Sequence, residues 1–172
     1  MRIEEQIVIA AAPDDVWELI ADPVSLGELD DGVIVEPDRP GERPGVRSRY
    51  RAMLRVGPVP VGGEVEIVEF APGRELAWTS LTGIDQRFRL RVRATGDGRT
   101  RVTLRFGYTS PGALGVIADL AAYTQVRGVM RNLLKAVAAE AERRARSRRR
   151  AARTTRRPAG KPSAAQRRST RS

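Results

Sequence analysis

Arg127 and Arg131 stand four residues apart in the carboxy-terminal half of the chain. With Tyr50, Tyr108, Tyr123, Trp78, Gln86, Ser48 and Ser80 they are the side chains best equipped to do chemistry. Guanidinium groups bind carboxylates, enolates and polarised carbonyls through paired N–H donors, strongly so inside a low-dielectric pocket. A tyrosine hydroxyl beside such a cation can act as a general acid, and aromatic bodies with hydrogen-bonding tips suit an aromatic or polycyclic ligand. Each residue also has an ordinary structural role. The arginines can pair with sheet carboxylates or extend to solvent at a helix edge, and the others can be core with a satisfied hydroxyl or amide. The residue types leave both roles open.

What is missing narrows the chemistry further. The 172 residues contain no cysteine and no histidine, which excludes a disulfide framework, a thiol nucleophile, a Cys/His zinc site and an imidazole base. Acid/base work falls to Asp, Glu, Tyr, Lys or water. Among carboxylates, Asp85 at a strand start is the one expected to face inward. No phosphate-cradling glycine loop or carboxylate metal cluster is evident, so no cofactor is expected. The start MRIEEQIVIA is too short and acidic for a signal sequence, and no apolar run reaches membrane-spanning length. A cytoplasmic protein is expected.

The element that positions Arg127 is a long helix, read here from Gly112 to Glu142. From Val116, the residues Leu120, Tyr123, Arg127, Met130, Leu134, Val137 and Ala141 follow at alternating steps of four and three, one stripe along about 45 Å of helix. Before it the period is two. Tyr50, Ala52 and Leu54 alternate with Arg49, Arg51 and Arg55; Leu76, Trp78 and Ser80 share one side of the next-but-one strand. The segments QRFRLRVR and RTRVTLRFGY, joined by a hairpin at Thr95-Gly96-Asp97-Gly98, put Phe88, Leu90, Val92, Val102, Leu104, Phe106 and Tyr108 on one face and arginines on the other. Val65 and Ile67 alternate with Glu64 and Glu66, and the adjacent pair Ile67-Val68 predicts a bulge. At the amino terminus a short strand breaks at Ala11-Ala12-Pro13-Asp14-Asp15. A helix begins there, because proline suits the first helical position and the aspartates suit the positive end of the dipole. Trp17 anchors that helix, Asp22-Pro23 ends it, and a loop leads to a strand at Val33-Ile34-Val35.

The fold class is therefore α+β: a curved antiparallel sheet of about seven strands wrapped around a long carboxy-terminal helix, with a short helix after the first strand. Small residues on the concave face (Ser48, Ala52, Ser80) and on the helix (Ala121, Thr124, Gly128, Ala138) predict space between helix and sheet. The candidate ligand-binding residues are Tyr50, Trp78, Ser80, Gln86, Phe88, Leu104, Phe106, Tyr108, Tyr123, Arg127 and Met130. The arginines of the other face read as a solvated surface, since aromatics are not interleaved among them.

The net charge of +10 belongs to the carboxy terminus. Of 31 basic residues, thirteen lie in residues 143–172, where there is no Asp or Glu; the rest of the chain holds 18 basic against 21 acidic residues. From Arg146 to Ser172 no large apolar residue occurs, which predicts a domain over residues 1–145 followed by a disordered basic tail. Such a tail offers weak binding to nucleic acid or another polyanion, or serves only as a solubilising extension.

The segment IVIAAAPDDVWELIADP resembles the opening of the superfamily that joins birch-allergen-type proteins, lipid-transfer START domains and bacterial polyketide cyclase/dehydrase proteins. VEIVEFAPGRELAW and the last helix extend the resemblance over about residues 1–142. The family usually carries an aromatic shortly after the Asp-Pro; this chain has only Leu26 and Leu29 there. The resemblance implies a helix-grip fold and an interior pocket for a hydrophobic small molecule, such as a lipid, quinone or polyketide-like compound. Its members include carriers and cyclases, so binding and cyclisation or dehydration are both implied. An RNA- or ribosome-associated role through the tail is the alternative from a different class.

Overall fold

The computed structural model describes residues 1–57, 60–109 and 116–155. Strand β1 (Arg2–Ile9) leads into α1 (Pro13–Ile20) and α2 (Pro23–Leu29), and then come β2 (Val33–Pro37), β3 (Arg49–Arg55), β4 (Pro60–Ala71), β5 (Glu75–Ser80), β6 (Asp85–Ala94), β7 (Thr100–Thr109) and α3 (Val116–Thr155). The seven strands form one antiparallel sheet in the order β1-β7-β6-β5-β4-β3-β2. From β2 to β7 each strand lies beside the next in sequence, as short turns require. Strand β1 instead pairs with β7, which brings the two ends of the strand succession together at one edge of the sheet.

Register puts the apolar alternation on one face. Ile3 opposes Phe106, Phe88 opposes both Trp78 and Phe106, and Tyr50 opposes Val65. The core is this face closed by one side of α3 and by α1: Val16, Leu19 and Ile20 of α1 and Met130, Leu133, Val137 and Ala141 of α3 are all buried. Trp17 lies against Phe70 with ring centroids 5.6 Å apart, pinning α1 to the end of β4. The Ile67-Val68 pair forms the expected bulge: pairing with β5 shifts between Ile67 and Glu69 and Val68 turns out to solvent. The outer face is laced with ion pairs, Arg91 to Glu75 at 3.0 Å, Arg105 to Glu4 at 2.8 Å and Arg49 to Glu66 at 3.2 Å among them.

Three local expectations need correction. Asp22-Pro23 ends α1 but also begins α2, where a loop was expected: the Asp22 carboxylate accepts a hydrogen bond from the Val24 backbone N–H at 3.0 Å, and Pro23 occupies the first helical position. Val46, which the alternation continued back from Tyr50 through Ser48 places on the core face, is exposed, because Arg47 adopts φ 75° and β3 begins only at Arg49.

The third correction concerns α3. Its expected start at Gly112 lies outside the described residues, but its end lies well past Glu142, at Thr155, so residues 146–155 are helical rather than disordered. Arginines tolerate helix well and favour its negative end. They also find local acids: Arg143 and Arg144 bind Glu140, Arg146 approaches Glu142, and Arg148 reaches back to Asp15 and Glu18 of α1. The remainder of the basic tail, residues 156–172, is outside the described residues.

Candidate functional site

The helix buries Met130, Leu134, Val137 and Ala141 of the expected stripe, but around Arg127 its inward face is rotated from the one the periodicity suggested. The buried line is Val126, Met130, Leu133, Val137, Ala141 and Ala145, while Arg127, Arg131 and Gly128 are exposed and Tyr123 sits half-buried on the flank. Nothing lies within 4 Å of a side-chain carbon placed on Gly128, so it leaves no gap in the interior. Ala121 and Thr124 are exposed as well. Of the small helical residues expected to create space, only Ala138 is buried.

Arg127, expected on the ligand side, is instead an edge cation, 46% exposed at its side chain. Its Nε donates to the Glu5 carboxylate at 2.6 Å, and Arg131 donates to the same oxygen at 3.2 Å. Glu5 lies two residues from both Ile3 and Ile7 along β1 and so shares their inward face. That alternation was legible in RIEEQIVI, yet Asp85 was the carboxylate singled out; Asp85 is in fact exposed and accepts a hydrogen bond from Ser80. The hydrogen bond from Arg127, opposed by burial and assisted by Arg131, holds the Glu5 carboxyl below its ordinary 4.5. A depressed carboxyl stabilises the fold above its unfolded-state value and loses that contribution as pH falls. The stability lost in Glu5→Gln is therefore expected to be constant from neutral pH down to about 5 and to shrink at lower pH, as followed by urea denaturation across pH. A difference that persists unchanged at about pH 3 would contradict the pairing.

A cavity of about 200 Å³ lies where α3 crosses the end of the sheet at which β3 and β7 finish and β4 and β6 begin. Leu54 and Val56 form one wall and Val61 and Gly62 of β4 the next. Ile84 and Gln86 enter from the start of β6, Phe106 and Tyr108 from β7, and Ala122 and Val126 close it from the helix. Its sheet wall depends on glycine. Gly62 and Gly63 run so close to β3 and to the turn after β5 that a β-carbon would fall 2.1 Å from the Ala52 carbonyl oxygen or the Thr82 carbonyl oxygen respectively. The turn is laid along β4 by hydrogen bonds from the Leu81 N–H to the Glu64 carbonyl (2.7 Å) and from the Glu64 N–H to the Thr82 hydroxyl (3.1 Å).

Gln86, Phe106 and Tyr108 are thus the expected site residues that the fold brings to the cavity. Gln86 is 4% exposed, with its Nε2 donating to the Ala52 carbonyl at 3.1 Å and its backbone N–H donating to Ser80 Oγ at 3.1 Å. The Tyr108 hydroxyl points at the Met1 sulfur, 3.2 Å away. The other candidates lie elsewhere. Trp78 and Phe88 stack in the core at 3.9 Å with planes 11° apart, and the Trp78 indole nitrogen has no partner among the described residues. Leu104 and Met130 are sealed core, and Ser80 spends its hydroxyl on Gln86 and Asp85. Ser48 is tied to Gly45 and Arg43 of the preceding loop. Tyr50 is buried apart from the cavity, and burial with the nearby carboxylates Asp22 and Glu42 pushes its hydroxyl up to about 12, which removes it from acid/base duty near neutrality. The residues that sequence reasoning missed are apolar or glycine: Leu54, Val56, Val61, Gly62, Ile84, Ala122 and Val126. Only the Gly-Gly pair carried a local signal, since glycine inside a strand marks close backbone approach.

Among the described residues no group of three or more acidic side chains is placed to hold a metal, and no helix is long and apolar enough to cross a membrane.

A curved seven-stranded antiparallel sheet gripping a long carboxy-terminal helix, with a cavity between them, defines the helix-grip class. The chain belongs to the polyketide cyclase/dehydrase and lipid transport family, whose description matches residues 1–142. Solved structures share the fold. TTHA0849 from Thermus thermophilus is 22% identical and superposes with a TM-score of 0.69 over 82% of this chain and 97% of its own. The Zhui aromatase/cyclase from Streptomyces sp. R1128 is 21% identical, with a TM-score of 0.62 over 88% of this chain and 97% of its own. The structure of Ara h 8.0201 is 12% identical, with a TM-score of 0.58, covering 82% and 97%. Among curated proteins none matches the chain.

Proposed function

We propose that this protein binds a small hydrophobic molecule in the cavity between α3 and the sheet, as a binder or carrier rather than as a cyclase. The observation that carries the reading is the lining: apart from Gln86 and the Tyr108 hydroxyl, every described residue around the cavity is apolar or glycine. Burying apolar ligand surface there is favourable at about 25 cal/mol per Å² without any further group. Cyclisation of the aldol type asks for more, namely a base poised near neutral pH at the reacting carbon. Tyr108 is the only titratable group on the cavity wall among the described residues. Glu5, the inward carboxylate nearest in character to a base, is held below the ordinary carboxylate range by two arginines. Family membership and likeness to an aromatase/cyclase support the pocket and its taste for apolar compounds, and the lining favours binding over turnover.

Native mass spectrometry of the protein purified from its own host tests this directly. A co-purifying apolar compound of a few hundred daltons, released by organic solvent, is the expected result. Protein that is ligand-free from the host and takes up no apolar probe in vitro would overturn the reading.

A further inference from the structure

Resting on the reading of the cavity as a ligand site, we infer that Gln86 makes it selective for a neutral ligand that carries a hydrogen-bond donor, a phenol or alcohol hydroxyl. Compounds that only accept hydrogen bonds and compounds that bear a carboxylate are discriminated against. The argument is an inventory of the polar atoms on the wall. Gln86 is 4% exposed, and its Nε2 donates to the Ala52 carbonyl at 3.1 Å. That bond settles which way round the amide lies, because only the nitrogen can donate to a carbonyl. Oε1 is left as an acceptor with no hydrogen-bond partner among the described residues. The neighbouring Ser80 hydroxyl is already engaged, accepting from the Gln86 backbone N–H and donating to Asp85.

Oε1 is not sealed, since Trp78 Nε1 is the one fully buried unpartnered side-chain polar atom among the described residues, and Oε1 is therefore open to a ligand. A ligand hydroxyl placed against it replaces water with a hydrogen bond set in an otherwise apolar wall. An ether, ketone or quinone offers no proton to Oε1. Its own acceptors would find little on the wall, since Tyr108 directs its hydroxyl at the Met1 sulfur. A carboxylate fares worse. No cation lines the cavity among the described residues, and Arg127, the guanidinium expected to meet an anion, is held by Glu5 at the helix edge. At about 200 Å³ the cavity is smaller than the ~300–1,000 Å³ of sites for drug-sized ligands, which points to a one- or two-ring molecule.

Four probes on the intact chain test this by isothermal titration: naphthalene, 2-naphthol, 2-methoxynaphthalene and 2-naphthoate. The expected order is 2-naphthol about tenfold tighter than 2-methoxynaphthalene and naphthalene, as one buried hydrogen bond allows, with 2-naphthoate weakest near neutral pH. Gln86→Leu is expected to abolish the preference, so that 2-naphthol and 2-methoxynaphthalene bind that variant equally. Gln86→Met, closer in shape, repeats the measurement should the leucine variant fold poorly. Wild-type protein that binds naphthalene, naphthol and the ether equally overturns the selectivity and leaves the cavity reading standing, as does a Gln86 variant that keeps the preference. Failure of all four probes overturns the cavity reading itself.

Discussion

Gly62→Ala is expected to destabilise the protein by about 3 kcal/mol, with Gly63→Ala close behind. These are large effects for the addition of one methyl group. The reason is backbone against backbone. A β-carbon on Gly62 would sit 2.1 Å from the Ala52 carbonyl oxygen and 2.7 Å from the Met53 α-carbon; one on Gly63 would sit 2.1 Å from the Thr82 carbonyl oxygen. No rotamer change relieves such contacts, so β3, β4 or the turn between β5 and β6 must move. Gly83 closes the trap from the other side, with φ 75° and its own β-carbon position 2.2 Å from the Gly62 carbonyl. Because Ala52 is also the acceptor for Gln86, a shift at Gly62 reaches the cavity's one buried amide. Urea denaturation measures the loss, and naphthol binding is expected to weaken in the same variant. A Gly62→Ala protein as stable as wild type would mean that β3 and β4 are not packed this tightly.

Ala122→Trp is expected to weaken binding of any apolar probe by about a hundredfold or more while changing stability by no more than about 1 kcal/mol. Ala122 lines the cavity from one turn before Val126, and an indole there occupies much of about 200 Å³. A hundredfold is about 2.7 kcal/mol, within what loss of the ligand's apolar burial provides. Filling an existing space differs from overpacking a solid core, which costs about 1–3 kcal/mol. The two are separated by measuring binding and unfolding on the same sample. Undiminished affinity would place the ligand elsewhere, and a steep fall in stability with binding retained would show that the helix has moved aside. At Gly128, by contrast, a large side chain meets open space and leaves the cavity as it was.

The elements were legible because each follows from nearest neighbours along the chain. Period-two runs place Phe88, Leu90, Val102, Leu104 and Phe106 on one face whatever the sheet later does, and the bulge at Ile67-Val68 and the hairpin at Gly96-Asp97-Gly98 are equally local. The short helix α2 was obscured because Asp22-Pro23 serves as both a stop and a start. The extension of α3 to Thr155 was obscured because its arginines read as disorder until partners are supplied. Two of those partners, Asp15 and Glu18, belong to α1, at the far end of the chain.

The sequence by itself determined the α+β class, the seven strands and, Val46 and Asp85 excepted, which strand residues face the concave side, since alternation and helical period are properties of consecutive residues. It also determined that no histidine or cysteine chemistry is available. Only the tertiary structure decided how α3 is rotated, and with it the role of Arg127. Two adjacent helical lines, one through Tyr123, Arg127 and Met130 and one through Val126, Met130 and Leu133, are nearly equivalent in spacing. Val126 and Arg127 are adjacent, about 100° apart on the helix, so a smaller turn that keeps Met130, Val137 and Ala141 inward is enough to exchange one for the other. At the chosen rotation Val126 and Leu133 are buried, and Glu5, 122 residues away from Arg127, pairs with it at the rim of the sheet. The cavity is decided in the same way. Its volume is whatever remains between residues of β3, β4, β6, β7 and α3, set by how closely Gly62 and Gly63 let backbones approach, and a distance between remote segments leaves no trace in the order of residues along any one of them.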